Sequence, residues 1–492
     1  MSNKIERNLQ SLNEIIIGSA RPDVGSLLAV LKRKKKVRRI APRVYTTNLT
    51  DSPENIIRRN LWTLIADLWP GARLSHRTAL EYAPNAGHVF LGYKYTRKIS
   101  LPGVTIHFLS SSDPLETDSP FMGTLSVSSY ARALLENLEP DKTQNGVEKC
   151  VPQTVLEERL EGEFSSGGEA ALNRLRGEAR GIAGKTGHEK EFAKLDKMIG
   201  AMLSTRSADV LKSPVAIARA TGEPFDSKRI DLFGRLLERL ASRDFPHLSD
   251  KAASDEAFCN FAFFESYFSN YIEGTEFELD EAKRIVDTGM AIPTRYADSH
   301  DILGTYAVAS DRRGMSRIAS TPDEFMDLLR ERHRMIMAAR PDAAPGQFKT
   351  RDNRAGETHF VSYDRVRGTL RKGFEMSRAL HNPFARAVFF MFVTSEVHPF
   401  SDGNGRISRL MMNAELVAAG ESKILVPTVF RPDYIGALRR LTRNGDAEVL
   451  VAALSRIHAF SSTLGALDFD SMLRRLEAAN AFKDEDSYTL QF

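Results

Sequence analysis

Residues 398–409 read HPFSDGNGRISR and place an imidazole, a carboxylate, two glycines around an asparagine, and two guanidinium groups in one short segment. Those residue types suit nucleotide phosphate chemistry: a base, a hard oxygen ligand for a cation, a backbone turn that aims N–H groups at an anion, and planar donors for phosphate oxygens. Gly403 and Gly405 allow backbone angles closed to other residues, so N–H groups near Asn404 can converge on an anion at the start of the next helix. Arg406 and Arg409 lie three apart, on one helical face, and their forks fit adjacent phosphates. Each residue also has a plainer reading. The arginines could make surface ion pairs, and Asp402 could cap a helix or be the single carboxylate of a Mg²⁺ ion held otherwise by phosphates and water.

These residues need elements to hold them. Upstream, HNPFARAVFFMFVTSEV is a strongly apolar helical pattern, and downstream LMMNAELVAAG predicts a second helix ending at Gly420, so the segment reads as helix–loop–helix. Farther upstream, SNYIEG places Ser269 and Glu273 four apart on one helical face, with Gly274 suited to a helix end. Taken alone, Glu273 is equally a cap or a solvated carboxylate. Between the two motifs, PGQFKTRDNRAGETHFVSYDRV alternates around Asn353 and Gly356 and predicts a hairpin within 346–364.

The chain of 492 residues exceeds one ordinary core, which predicts two or three domains. A formal net charge of +4 with 27% charged residues excludes global disorder and a polyanion-coating protein, so charge must be read by segment. Cys150 and Cys259 cannot by themselves build a disulfide framework or a zinc site, which fits a reducing, cytoplasmic setting. The most apolar run, AVFFMFV at 387–393, is too short to span a bilayer, and neither secretion nor membrane insertion is expected.

Residues 1–50 begin with the apolar-periodic NLQSLNEIII, and Arg43, Val44, Tyr45 and Thr46 look strand-like, predicting a helix or two and then a short basic hairpin. The basic block that includes Lys34, Lys35, Arg38, Arg39 and Arg43 is either a phosphate-facing surface or a solvated face. Residues 51–205 read as α+β: a helical pattern capped by Asp51 or Ser52 and stopped at Pro70-Gly71, strands at HVFLGY and KISLPGVTIHFLS, then helices at ALLENL, EAALNRLRGEARGIA and EFAKLDKMIGAML. No catalytic cluster stands out there, and His76 reads as a packed or capping histidine. Residues 206–229 have low periodicity and predict a linker; residues 230–492 read as helical, with one helix near 256–274.

The segment 398–409 matches, position by position, the Fic signature H-P-F-x-D/E-G-N-G-R-x-x-R, and this chain resembles the Fic family over roughly 230–460. The resemblance implies a mainly α fold, a helical bundle with a β-hairpin flap. It implies transfer of AMP from ATP to a Ser, Thr or Tyr hydroxyl of a protein, including the chain itself. His398 would be the general base and Asp402 would hold Mg²⁺. Gly403, Asn404 with its side chain, and Gly405 would cradle the phosphates, and Arg406 and Arg409 would bind the β and γ groups. Pro399 and Phe400 would be structural. Ser269, Glu273 and Gly274 match the family's inhibitory pattern S/T-x-x-x-E-G/N, in which the glutamate reaches the second arginine, here Arg409. In some members that glutamate positions water for removing AMP. The hairpin would be the flap that receives an extended target segment, with Lys349, Thr350 and Phe360 as contacts.

The stretch RRIAPRVY at 38–45 resembles the wing of the winged helix-turn-helix that precedes AbiEi-type antitoxin regulators, with Pro42 where that pattern has a flexible pair ending in glycine. Residues 51–205 resemble the α+β part that accompanies such wings. A rival reading follows: a DNA-binding regulator of toxin–antitoxin type whose Fic half senses nucleotide or modifies only itself.

Overall fold

Asn382 accepts the Ala385 N–H at 3.1 Å and Pro383 takes the first helical position, so the apolar run starts as a helix, Pro383–Val397, in the computed structural model of the chain. The structure describes residues 14–18, 22–141, 147–252, 254–484 and 487–492. They form two compact units, one ending at Thr221 and the other beginning at Gly222.

In the first unit, Ile15–Ile17, Arg38–Ala41 and Val44–Thr46 make a three-stranded antiparallel sheet with Val44–Thr46 in the middle, beside the helix Pro22–Arg33. Ile15–Ile17, periodic enough to suggest a helix, is a strand because it pairs with Val44–Thr46 and its β-branched residues suit that pairing. The rest of the expected N-terminal helix, residues 8–13, lies outside the described residues. Arg43 is no strand residue; at φ 62 it forms the turn before Val44.

Ser52 caps Pro53–Arg59 by accepting the Asn55 N–H. A six-stranded mixed sheet follows, with His88–Tyr93 parallel to Val104–Ser110 and Val104–Ser110 antiparallel to Arg97–Leu101. The helices Tyr130–Asn137, Gln153–Thr186 and Glu189–Met202 share its apolar core. His76 is buried, with Nδ1 on Ser75 Oγ at 3.1 Å and Nε2 on Glu139 at 3.3 Å. Residues 206–229, expected as a linker, hold the helix Pro214–Ala220, whose Val215 and Ala216 are buried, and the division between the units falls just after it.

The second unit is helical. Six helices frame the site: α1 (Asp255–Ile272), α2 (Tyr296–Ser310), α3 (Pro322–Ile336), α4 (Val366–Ser377), α5 (Pro383–Val397) and α6 (Asn404–Ala418). Nearly every side chain of α5 is buried, as a helix apolar on all sides requires. Phe384, Phe389, Phe390 and Phe392 are each within 1% of complete burial, and each contributes about 2–3 kcal/mol. With α5 pinned at the centre, α6, α4 and the helix Ser227–Ala241 pack on it, and α1, α2 and α3 pack against α6. The hairpin is shorter than its sequence suggests: Arg354–Ala355 (β1) pairs with Thr358–His359 (β2) across Gly356 at φ 57.

Candidate active site

His398 ends α5 in the left-handed region, at φ 52 and ψ 58, with its N–H on Thr394 O. That conformation turns the chain sharply out of the helix and starts the loop. The ring lies flat on Phe360, 3.7 Å between centroids and 6° between planes, and Nδ1 faces Ser395 O at 3.2 Å. A carbonyl only accepts, so Nδ1 carries the proton and Nε2 is left as the acceptor. Burial, helped by the nearby Lys349 charge, lowers the imidazole to about 4 and keeps it neutral.

Asn404 closes the loop. Its Oδ1 accepts the Phe400 N–H at 2.9 Å and its Nδ2 donates to Phe400 O at 2.8 Å. Both ends of the amide are therefore engaged with the loop backbone, and the side chain, 2% exposed, shapes the turn instead of facing a phosphate. Phe400 is fully buried. Gly403, at φ 73, precedes α6, and a Cβ there would stand 2.7 Å from Met337 Sδ. The Asp402 carboxylate takes the Gly403 N–H at 2.6 Å and is exposed at the mouth of the loop. One exposed carboxylate beside a helix N-terminus fits a Mg²⁺ ion whose other ligands come from phosphates and water; no cluster of three or more protein ligands occurs among the described residues.

Two residues that the sequence reading passed over organise this loop. His333 of α3 is fully buried and stacks on Phe400 at 3.7 Å and 3°. Its Nδ1 accepts the Gly346 N–H at 2.9 Å, so Nε2 donates to Asp402 O at 3.0 Å, and burial holds the ring neutral, at about 4. Its position four residues after Leu329, on the apolar face of an amphipathic helix, was the available signal. Asp301 of α2, 2% exposed, pairs with Arg406 at 2.9 Å and with Arg340 at 2.7 Å. Arg406 also reaches Asn270 Oδ1 at 3.5 Å, while its Nε has no hydrogen-bond partner among the described residues.

Arg409 is 5% exposed and engages α1 three times: Nε donates to Ser269 Oγ at 3.0 Å, and Nη2 donates to Ser269 O at 2.9 Å and to Glu273 Oε1 at 2.8 Å. Burial alone would lower this guanidinium; the facing Glu273 carboxylate and Tyr434 outweigh it and raise it. Glu273 caps α1, and Gly274, at φ 89, turns the chain away. The carboxylate also stands over Gly405 in the first turn of α6, where a Cβ would lie 2.0 Å from Oε1. A helix N-terminus favours an anion, and here a carboxylate of the protein fills that place.

Of the residues expected on the flap, Phe360 lies on the His398 ring and Thr350 is exposed, but Lys349 is not a surface contact. It is 5% exposed, gives its main-chain N–H to Pro399 O at 2.9 Å, and turns Nζ to Asn353 Oδ1 at 2.6 Å; burial lowers its ammonium to about 8. Asn353 in turn donates to Phe400 O at 2.9 Å, which ties the root of the hairpin to the loop between α5 and α6. The basic residues Lys34, Lys35, Arg38, Arg39 and Arg43 belong to the other unit. All are exposed except Arg38, whose guanidinium is spent on the carbonyls of Asn48 and Asp51.

Residues 325–416, which hold the 398–404 loop and most of α3 to α6, match the model of the Fic/DOC family. The chain is 26% identical over 200 residues to protein adenylyltransferase fic-1 of Caenorhabditis elegans, covering 40% of this chain and 39% of that protein. It is 28% identical over 240 residues to protein adenylyltransferase Fic of Culex quinquefasciatus, covering 46% of each. The chain thus spans less than half the length of these curated relatives, which are named as protein adenylyltransferases, a kind of nucleotidyltransferase. A solved structure of Fic-1, residues 134–508, from C. elegans covers 67% of this chain and 97% of its own at 18% identity, with a TM-score of 0.36.

Proposed function

We propose that the second unit is a protein adenylyltransferase, moving AMP from ATP to a Ser, Thr or Tyr hydroxyl of a protein, this chain included, and that Glu273 holds it at low activity. The observation that carries this reading is the Glu273 carboxylate, bonded to Arg409 and standing over Gly405 where a nucleotide phosphate oxygen would sit. In the reaction, the target hydroxyl oxygen bonds to the α-phosphorus of ATP while its proton passes to His398 Nε2. The bond from that phosphorus to the bridging oxygen breaks, and pyrophosphate leaves with the electron pair. A lowered imidazole is in the neutral, proton-accepting form at pH 7. The N–H groups at the start of α6 and the Arg406 and Arg409 guanidiniums hold the phosphates, Arg409 only after Glu273 has left it. Asp402 would hold a Mg²⁺ ion, which would supply charge neutralisation on the phosphates. The same Glu273 carboxylate is the group that would orient water for removing AMP from a modified target.

The test uses Mg²⁺ and ATP labelled on the α-phosphate with wild type, Glu273→Gly and Glu273→Gly/His398→Ala. Strong label in Glu273→Gly, faint label in wild type and none in the double variant is the expected result. Label undiminished by His398→Ala removes the mechanism.

A second reading, DNA binding by the first unit, is favoured by one observation: Lys32, Arg39 and Arg43 line a cleft of about 680 Å³ beside the basic hairpin. A gel shift at low salt tests it, and the absence of any shifted band would remove it.

A further inference from the structure

The segments that lead to and from the hairpin pass through a groove of about 530 Å³ that the transfer chemistry does not use. Helix α3 contributes Arg330 and Arg334, one turn apart, the hairpin's entry and exit segments contribute Phe348, Tyr363 and Asp364, and the first turn of α4 contributes Arg367. Arg330 is partly engaged, by Gly346 O at 3.0 Å and Asp327 at 3.6 Å. Arg334 and Arg367 are exposed and form no ion pair among the described residues; Arg367 lies 5.4 Å from the Phe348 ring centroid. Three arginines and one carboxylate, Asp364, therefore line the groove over an aromatic floor, in which Tyr363 is 51% exposed.

We propose that this groove binds an acidic stretch of the protein to be modified, close to the acceptor hydroxyl; the inference rests on the adenylyl-transfer reading and adds a target class to it. Charge is the first argument, since arginines without carboxylate partners gain most from carboxylates brought by another chain. Position is the second. Lys349 belongs to the groove and gives its N–H to Pro399 O, the residue after His398, so a segment in the groove lies next to the catalytic loop. The aromatic floor is the third, because Phe348 and Tyr363 offer apolar contact to a peptide backbone and its side-chain stems. A nucleic-acid strand fits less well, because a polyphosphate calls for a continuous basic track and Asp364 interrupts this one.

The test is equilibrium binding without nucleotide. Short fluorescein-labelled peptides, one rich in Asp and Glu, one its Lys and Arg counterpart, and a single-stranded oligonucleotide of the same charge as the acidic peptide, are titrated with the full chain and followed by anisotropy. The acidic peptide should bind tightest, weaken as salt rises, and lose about tenfold in affinity in Arg334→Glu/Arg367→Glu, with a smaller loss in Arg334→Gln/Arg367→Gln. Equal binding of both peptides, unchanged affinity in a folded double variant, or oligonucleotide binding that is tighter than peptide binding and is lost in the same double variant overturns the proposal. Because no ATP is present, such a failure leaves AMP transfer standing, whereas failure of the labelling assay leaves the binding result readable.

Discussion

The Glu273 carboxylate and Gly405 share one small space: a methyl group on Gly405 would lie 2.0 Å from Oε1 and 2.7 Å from Cδ of that side chain. Gly405 sits in a helix and is not among the residues with positive φ, so alanine is compatible with its backbone. Gly405→Ala should push Glu273 off Arg409 and yet fail to raise labelling, because the methyl fills the space a phosphate oxygen needs. Adding Gly405→Ala to Glu273→Gly should cut AMP labelling at least about tenfold, the cost of losing one oxyanion-type contact. Equal labelling of the two Glu273→Gly proteins would show that inhibitor and phosphate do not share this space.

Asp301 is a buried anion with two arginine partners, Arg406 and Arg340. Asp301→Ala leaves the Arg406 charge buried without its counter-ion and should lower the unfolding free energy by about 3 kcal/mol. Urea midpoints of wild type, Asp301→Ala and Asp301→Asn measure this, with Asn in between because it keeps the shape and one acceptor.

His333 acts on the loop through geometry. His333→Phe keeps the stack on Phe400 and removes the bonds to Asp402 O and Gly346 N, stranding the buried Gly346 N–H at a cost of about 1–3 kcal/mol. In a Glu273→Gly background this should raise the concentration of Mg²⁺ needed for half-maximal labelling more than it lowers the labelling rate at saturation. A variant that merely loosened the fold would lose rate without moving the Mg²⁺ dependence.

His333 and His458 are both lowered by burial from 6.5 to about 4, and His458 is further fixed by Ser422 O at 2.8 Å and a stack on Phe384. On acidification the unfolded chain takes up these protons first. Their contribution is therefore complete above pH 6.5 and is lost as pH falls from there toward 4, about 1–3 kcal/mol per histidine. Urea midpoints should be flat above that range and drop within it. His458→Gln, which can still donate to Ser422 O, should drop less steeply than wild type.

The helix–loop–helix around 398–409 was legible in the sequence because local physics decides it: Asn382-Pro383 starts a helix, an all-apolar run must be buried, and Gly403 marks where the chain leaves the right-handed region before the second helix. The periodicity of 255–272 and the four-residue spacing of Ser269 and Glu273 are likewise local. What the sequence could not state is which groups meet across distance. Arg406 pairs with Asp301, 105 positions away, and Asn353 donates to Phe400 O, 47 positions away, contacts that follow only from how the helices pack. Ile15–Ile17 became a strand for the same reason: its partner, Val44–Thr46, lies some thirty residues along the chain. Short-range propensity names the groups that can do chemistry; burial, which depends on every helix at once, decides which of them are already taken.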